Sequence, residues 1–277
     1  MDVLFDTGSD WLILEGKGCK SCEGEDLYNP KKSESSKKIS KEDSSREYGS
    51  ASVYGSVYTD TVCVTTSFLC LYDYPLFVAK EQTGLIEPLD GIVGLTRGLP
   101  PSTGDTKKSD KIEETSPESL AKALHTSQGI ERPSFSIGFD SKEKAAKIEF
   151  GRASALSGLT PEERKKPNLP NTTLLIPDDF FWSSVNIGVG IGSTTLKSVW
   201  SWENVPEFKT ITDNKIYTVF DTGSNVILIS GVHYKDFINK IYDYIGAYDF
   251  KLQEGVIVTK CYNHFPTLYF KFTNRFL

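Results

Sequence analysis

The chain has 277 residues, 38% of them hydrophobic and 25% charged, with a formal net charge of −6. That is long enough for two folded lobes. No apolar run approaches the roughly 18 residues of a membrane span, and the acidic balance argues against a nucleic-acid partner.

Residues 1–100 read as short strands, with β-branched and aromatic runs broken by Gly, Asp and Asn. The first run ends in Phe5-Asp6-Thr7-Gly8-Ser9. Cys19 and Cys22 then form a lone C-x-x-C. Zinc wants a second pair at suitable spacing and a thioredoxin-type site wants a βαβ setting, so a small disulfide loop is predicted. From Lys31 to Arg46, six Lys/Arg stand against three Asp/Glu with serines between, which is the pattern of a solvated loop. Thr61-Val62-Cys63-Val64 and Phe68-Leu69-Cys70-Leu71 read as two β runs joined by Thr65-Thr66-Ser67, with a bridge from Cys63 to Cys70 across the hairpin. Five cysteines point to an oxidising compartment and leave Cys261 odd.

A polar stretch from Leu99 leads to Ser116-Pro117-Glu118, which predicts a helix N-cap, a first-turn proline and a first-turn acid. Leu120, Ala121, Ala123 and Leu124 form its apolar side, and Gly129 stops it. Gly158 to Asn171 is rich in proline and charge and reads as a surface excursion; Asn171-Thr172-Thr173 is a glycosylation sequon. Strand-like Thr173–Ile176 and Phe180–Trp182 restart the pattern. Gly188-Val189-Gly190-Ile191-Gly192 imitates a dinucleotide loop, but Ser193–Leu196 continues as strand, so a glycine-rich hairpin is predicted. Val219-Phe220-Asp221-Thr222-Gly223-Ser224 repeats the opening motif 215 positions after the first copy. Ser230 caps a predicted helix with Phe237, Ile241 and Ile245 at four-residue spacing. The order of strand, Asp-Thr-Gly loop, strands and helix thus occurs twice, as expected of two related halves.

One Asp-Thr-Gly reads as a tight turn ending a strand. Two copies, both Phe-Asp-Thr-Gly-Ser, suggest two lobes that each deliver a carboxylate to a shared site. A pair of carboxyls sharing one proton can draw a proton from water while giving one to a carbonyl oxygen. Like charges so close resist double ionisation, so the pair titrates as a unit. Gly8 and Gly223 let the backbone turn tightly and bring an N–H near each carboxylate. Thr7 and Thr222 can bond across to the opposite loop, and Ser9 and Ser224 can reach the outer carboxylate oxygens.

These residues, with Tyr48-Gly49-Ser50-Ala51-Ser52-Val53-Tyr54-Gly55 and Asp90-Gly91-Ile92-Val93-Gly94-Leu95, resemble the pepsin-type (family A1) aspartic proteases, protist members among them. Phe135–Phe139 and Ile148–Gly151 resemble the strands leading to the family's lobe junction. The resemblance implies a mainly β, bilobal acid-protease fold with short helices and a catalytic cleft between two related lobes, residues 1–170 and 171–277. It implies that Asp6 and Asp221 are catalytic and that Gly8, Ser9, Tyr48, Gly49, Ser50, Gly223 and Ser224 bind substrate, with Tyr48 on a flap hairpin. It implies a polypeptide substrate, acidic pH, no cofactor or metal, no nucleic-acid partner, a monomer, and a secreted or lysosomal/vacuolar location.

The chain departs from the pattern in two ways. Ile13 stands where the family commonly has the tryptophan that holds the flap tyrosine, and Trp11, two residues earlier, shares a strand face with that position but not its place. The family also carries more residues before its first aspartate and a second apolar-apolar-Gly segment later, so the chain is expected to be a fragment, its Cys261 partner lying beyond residue 277. A less stable second lobe is expected to follow. Rival chemistries have less support: His125, His233 and His264 are scattered and no G-x-S-x-G is present. The remaining alternative is a catalytically silent binding module, or an inactive fragment, of the same fold.

Overall fold

The computed structural model describes residues 1–49, 51–64, 69–84, 88–97, 117–140, 145–151, 180–192, 216–229, 231–245, 250–253, 256–259 and 267–272. Ser116, Asn171–Ile176, Ser193–Leu196, Ser230 and Cys261, and with them the expectations placed on these residues, lie outside that set. The chain divides into two compact units. The first is Met1–Thr172 with Asp178–Trp182 and Phe220–Gly223; the second is Thr173–Pro177, Ser183–Val219 and Ser224–Leu277.

The first unit is built on a mixed sheet. Its strands are β1 (Val3–Asp6), β2 (Leu12–Lys20), β3 (Lys37–Lys38), β4 (Ser44–Glu47), β5 (Ser52–Cys63), β6 (Cys70–Thr83) and β7 (Gly91–Gly94). They lie in the order β1-β7-β2-β6-β5-β3, with β4 also paired to β5. β1 runs parallel to β7, β2 parallel to β6, and the other pairs are antiparallel.

Alternation along the strands explains why this sheet is buried on both faces. Leu12 and Leu14 of β2, Leu76 and Val78 of β6, and Val93 of β7 join one apolar cluster. Their neighbours Trp11, Ile13, Phe77, Ala79 and Ile92 point the other way, into a second cluster with Val53 and Val57. The first face is covered by helix α1 (Leu120–Gln128), whose Leu120, Ala123 and Leu124 pack into that cluster. The hairpin of β8 (Phe135–Asp140) and β9 (Ala145–Phe150) adds Phe135, Ile137, Ile148 and Phe150 at its margin.

Helix α1 begins later than Ser116-Pro117-Glu118 suggested. Its N-cap is Ser119, whose carbonyl accepts from Ala123 N at 2.9 Å, while its side chain makes no capping bond. The buried Tyr74 hydroxyl donates to the Glu118 carbonyl at 2.9 Å and ties this approach to β6. Gly129 ends the helix as predicted, at φ 66° in the left-handed region that favours glycine. Tyr74→Phe should therefore cost about 1–2 kcal/mol by leaving that carbonyl without its donor. A lowered urea midpoint at unchanged slope would show it; an unchanged midpoint would mean that water replaces the hydroxyl.

Both predicted bridges are present. Cys19–Cys22 closes a loop with Cα atoms 5.6 Å apart, and Cys63–Cys70 joins paired residues of β5 and β6 with Cα atoms 4.0 Å apart. Two disulfides fit an oxidising compartment.

In the second unit, β11 (Ile216–Val219) and β14 (Thr267–Phe272) flank β10 (Ser183–Gly192). Gly188–Gly192 is a straight continuation of β10 paired to β14, not the hairpin turn expected from its glycines. The irregularity falls earlier, between Asn186 and Gly188. Helix α2 (Gly231–Ile245) buries Phe237, Ile238 and Ile241 with Leu268 of β14 packed against them. β12 (Phe250–Gln253) and β13 (Val256–Thr259) form a separate antiparallel pair. Among the described residues no helix is long and apolar enough to cross a membrane.

Candidate active site

Asp6 is the last residue of β1, opposite Gly94 of β7. The loop after it is fixed by backbone bonds: Leu95 N donates to Asp6 O at 2.7 Å, Thr96 N to Ser9 O at 3.1 Å and Gly94 N to Trp11 O at 2.9 Å. A Cβ on Gly94 would sit 2.6 Å from Trp11 N, so only glycine lets the two segments pass this closely. The apolar-apolar-Gly segment therefore seats the Asp6 loop as its resemblance implied.

Residues 220–223, which belong to the first unit, bring the second triplet onto the first. The bonds between them are reciprocal. Thr7 N donates to Thr222 Oγ1 at 3.1 Å and Thr222 N to Thr7 Oγ1 at 2.9 Å. Each hydroxyl then donates to the main chain before the other aspartate: Thr7 Oγ1 to Phe220 O at 2.7 Å, and Thr222 Oγ1 to Phe5 O at 2.6 Å. A side chain of this size with one donor and acceptor oxygen is what such a crossed arrangement requires.

The glycines face the opposite carboxyls. A Cβ on Gly8 would lie 2.6 Å from Asp221 Cγ, and one on Gly223 2.7 Å from Asp6 Cγ. Neither glycine has a positive φ. Both lie in turns, as the sequence suggested, and the close approach of the opposite carboxyl is a further reason for glycine there. Each also donates its N–H to the aspartate two residues earlier, Gly8 N to Asp6 Oδ1 and Gly223 N to Asp221 Oδ1, both at 2.8 Å.

The two carboxyls differ in setting. Asp6 is 8% exposed, whereas Asp221 is exposed. Burial pushes the Asp6 carboxyl up to about 6, opposed by the Ser9 hydroxyl and the Gly8 N–H and reinforced by the proximity and charge of Asp221. Ser9 Oγ is buried beside Asp6 without a partner that meets full hydrogen-bond geometry, so its influence there is one of proximity. Ser224 Oγ donates to Val226 O at 3.1 Å.

Tyr48 lies at the tip of a hairpin. β4 and β5 pair from Ser44↔Gly55 to Glu47↔Ser52, and Tyr48 N donates to Ala51 O at 2.7 Å across the turn. Gly49 is exposed with open space about it, and Ser50 lies outside the described residues. Tyr48 packs against the cluster containing Trp11 and Ile13. Burial and the charges of Asp10 and Asp6 raise its phenol, so it stays protonated through the acidic and neutral range. Among the described residues no hydrogen bond joins the Trp11 indole to the Tyr48 hydroxyl.

Two contributors escaped the sequence reading. Trp182, expected on a strand, lies in an irregular brace before β10: its Nε1 donates to Leu95 O at 2.6 Å, and its own carbonyl accepts from Phe220 N at 2.9 Å. It thereby links the segment that supports Asp6 to the residue preceding Asp221. Arg46, counted with a solvated basic stretch, is half-buried, its guanidinium 4.9 Å from the centroids of both the Trp11 and Phe77 rings. No spacing rule could have shown it, because its partners come from distant strands. Among the described residues no group of three His, Cys, Asp or Glu could hold a metal ion.

The crossed threonines, the facing carboxyls and the apolar-apolar-Gly support form one constellation around Asp6 and Asp221. A family model described as eukaryotic aspartyl protease matches residues 1–160, and the chain belongs to that family. The fold agrees with that of an aspartic proteinase from Irpex lacteus, at a TM-score of 0.59 and 18% identity; the match covers 93% of this chain. The chain spans 64% of the length of that structure. No curated protein matches by sequence.

Proposed function

We propose that the chain is an aspartic endopeptidase, which hydrolyses peptide bonds at acidic pH through a water activated between Asp6 and Asp221. The observation that carries this reading is the reciprocal Thr7–Thr222 bonding, which holds Gly8 and Gly223 each against the opposite carboxyl.

The asymmetry of the pair gives each member a role. Below about pH 6 the buried Asp6 keeps its proton, and the exposed Asp221 serves as the base. Water attacks the peptide carbon as its proton passes to Asp221, while Asp6 gives its proton to the carbonyl oxygen. Collapse of the tetrahedral intermediate breaks the C–N bond. The amine leaves with the proton from Asp221, and Asp6 recovers its own from the hydroxyl. The two protons belong to the pair, so pH profiles report the dyad and not either residue alone.

Gly8, Ser9, Gly223 and Ser224 would line the bound peptide, and Tyr48, Gly49 and Ser50 would cover it from the hairpin. On this reading residues 1–170 and 171–277 are the two lobes, the protein acts as a monomer, and it works in a secreted or vacuolar compartment. The test is cleavage of an unfolded protein by the 277-residue chain at pH 3–5, with and without a statine inhibitor that mimics the tetrahedral intermediate. Cleavage that the inhibitor blocks is expected. A well-folded chain that neither cleaves nor binds the inhibitor would favour the silent binding module.

A further inference from the structure

β4 is a four-residue strand that, among the described residues, pairs only with β5. Its partner β5 is anchored, because Ser52–Gly55 also pair with β6 from Thr83 to Ala79, so β4, with no strand on its other side among the described residues, is the part of the hairpin that side-chain contacts must hold. Its burial alternates: Ser44, Arg46 and Tyr48 are half-buried, while Ser45 and Glu47 are exposed. Arg46 and Tyr48 therefore share the inward face, as residues two apart on a strand do.

Arg46 Nη1 donates to Ser44 Oγ at 3.2 Å and to Ser45 O at 3.0 Å, which fixes the guanidinium on its own strand. Its Cζ then sits 4.9 Å from the centroids of two rings that pack edge to face with centroids 6.2 Å apart, Trp11 and Phe77, both buried. A planar, weakly hydrated guanidinium is the cation best suited to such a place. Trp11 leads into β2 and accepts from Gly94 through its backbone carbonyl, so it belongs to the scaffold of the Asp6 loop. Tyr48 packs against the same cluster.

We infer that Arg46 is the positioning residue of the hairpin: laid on Trp11 and Phe77, it holds Tyr48 in register with the Asp6 loop. The indole bond that Ile13 cannot supply is replaced by a cation two residues before the tyrosine. The consequence for turnover rests on the protease reading above; the order of the hairpin does not.

The inference separates positioning from simple destabilisation. A hairpin correctly placed only part of the time weakens apparent binding by that fraction and leaves the saturated rate intact. Loss of folded protein lowers the apparent kcat at constant KM. Arg46→Met keeps the apolar stem and removes the cation; Arg46→Lys keeps the charge and removes the planar guanidinium. In the 277-residue chain, Arg46→Met should accelerate amide exchange at Tyr48 and Ala51 roughly 3- to 30-fold, the range that loss of a cation–π contact allows. Exchange at Leu95, beside Asp6, should not change.

KM for a peptide substrate, and the dissociation constant of a statine inhibitor, should rise by a similar factor with kcat within about twofold. Arg46→Lys should fall between wild type and Arg46→Met, and Arg46→Met should add little once Trp11→Leu is in place. Unchanged exchange at Tyr48 and Ala51 in both Arg46 variants would overturn the inference, as would a fall in kcat at constant KM. If the wild-type chain neither cleaves nor binds the inhibitor, the protease reading fails, and the exchange data still decide the role of Arg46.

Discussion

Asp6→Asn and Asp221→Asn should each abolish peptide cleavage while leaving the fold in place. An amide can neither accept the water's proton as a carboxylate does nor deliver one as a carboxylic acid does. Loss of a general acid or base typically costs about 10²–10⁴ in rate, and here both roles pass through one shared pair. Either change should therefore bring kcat/KM down by roughly 10⁴. The crossed threonine bonds involve neither carboxyl, running through Thr7, Thr222, Phe5 and Phe220, so the loops should survive the substitution. Circular dichroism and exchange around Thr7 and Thr222 would verify that. Retention of more than about a tenth of wild-type activity in either variant would remove that aspartate from the mechanism.

The parts of this protein that were legible in its sequence are those where chemistry or burial restricts the residue types. Paired carboxyls approached by backbone need Asp and Gly at fixed spacing, and loops that grip each other need a short hydroxyl between them, so Asp-Thr-Gly appeared twice. The sheet was legible for a related reason. Burial on both faces turns the strands into apolar runs such as Trp11–Leu14 and Leu76–Ala79.

What could not be read depended on contacts between segments far apart in the chain. The start of α1 is set by a hydroxyl on β6, 44 residues from the carbonyl it binds. Arg46 reads as one more surface cation until Trp11 and Phe77 are known to lie beneath it. Gly188–Gly192 carries glycines that sequence rules assign to a turn, yet pairing with β14 supplies the backbone bonds that keep it extended. Ser9 and Ser224 occupy equivalent positions in the two triplets and have different surroundings, because residues before and after each triplet decide what covers it.

The raised proton affinity of Asp6 should also appear in stability, and its sign follows from the shift. The folded state holds the Asp6 proton up to about pH 6, whereas the unfolded chain releases it near the ordinary value of 3.8. The favourable contribution is fully present below 3.8 and is lost as pH rises through 6. A difference of about two pH units corresponds to about 3 kcal/mol, so between pH 4 and pH 7 the first unit should lose up to that much from this group. Burial also raises Glu15, which adds a loss of the same sign, whereas the lowered Asp43 and Asp90 act at lower pH. The difference between wild type and Asp6→Asn isolates the part that passes through the Asp6–Asp221 pair. Chemical denaturation at half-unit steps from pH 4 to 7 should show Asp6→Asn gaining steadily on wild type, with the gap widest at pH 7. Asp221→Asn should keep most of the wild-type slope, because burial, and not the neighbouring charge, is the main cause of the shift. Parallel profiles for wild type and Asp6→Asn would mean that Asp6 is hydrated in solution and ionises like an ordinary surface carboxylate, and the assignment of Asp6 as the proton donor would fall with it.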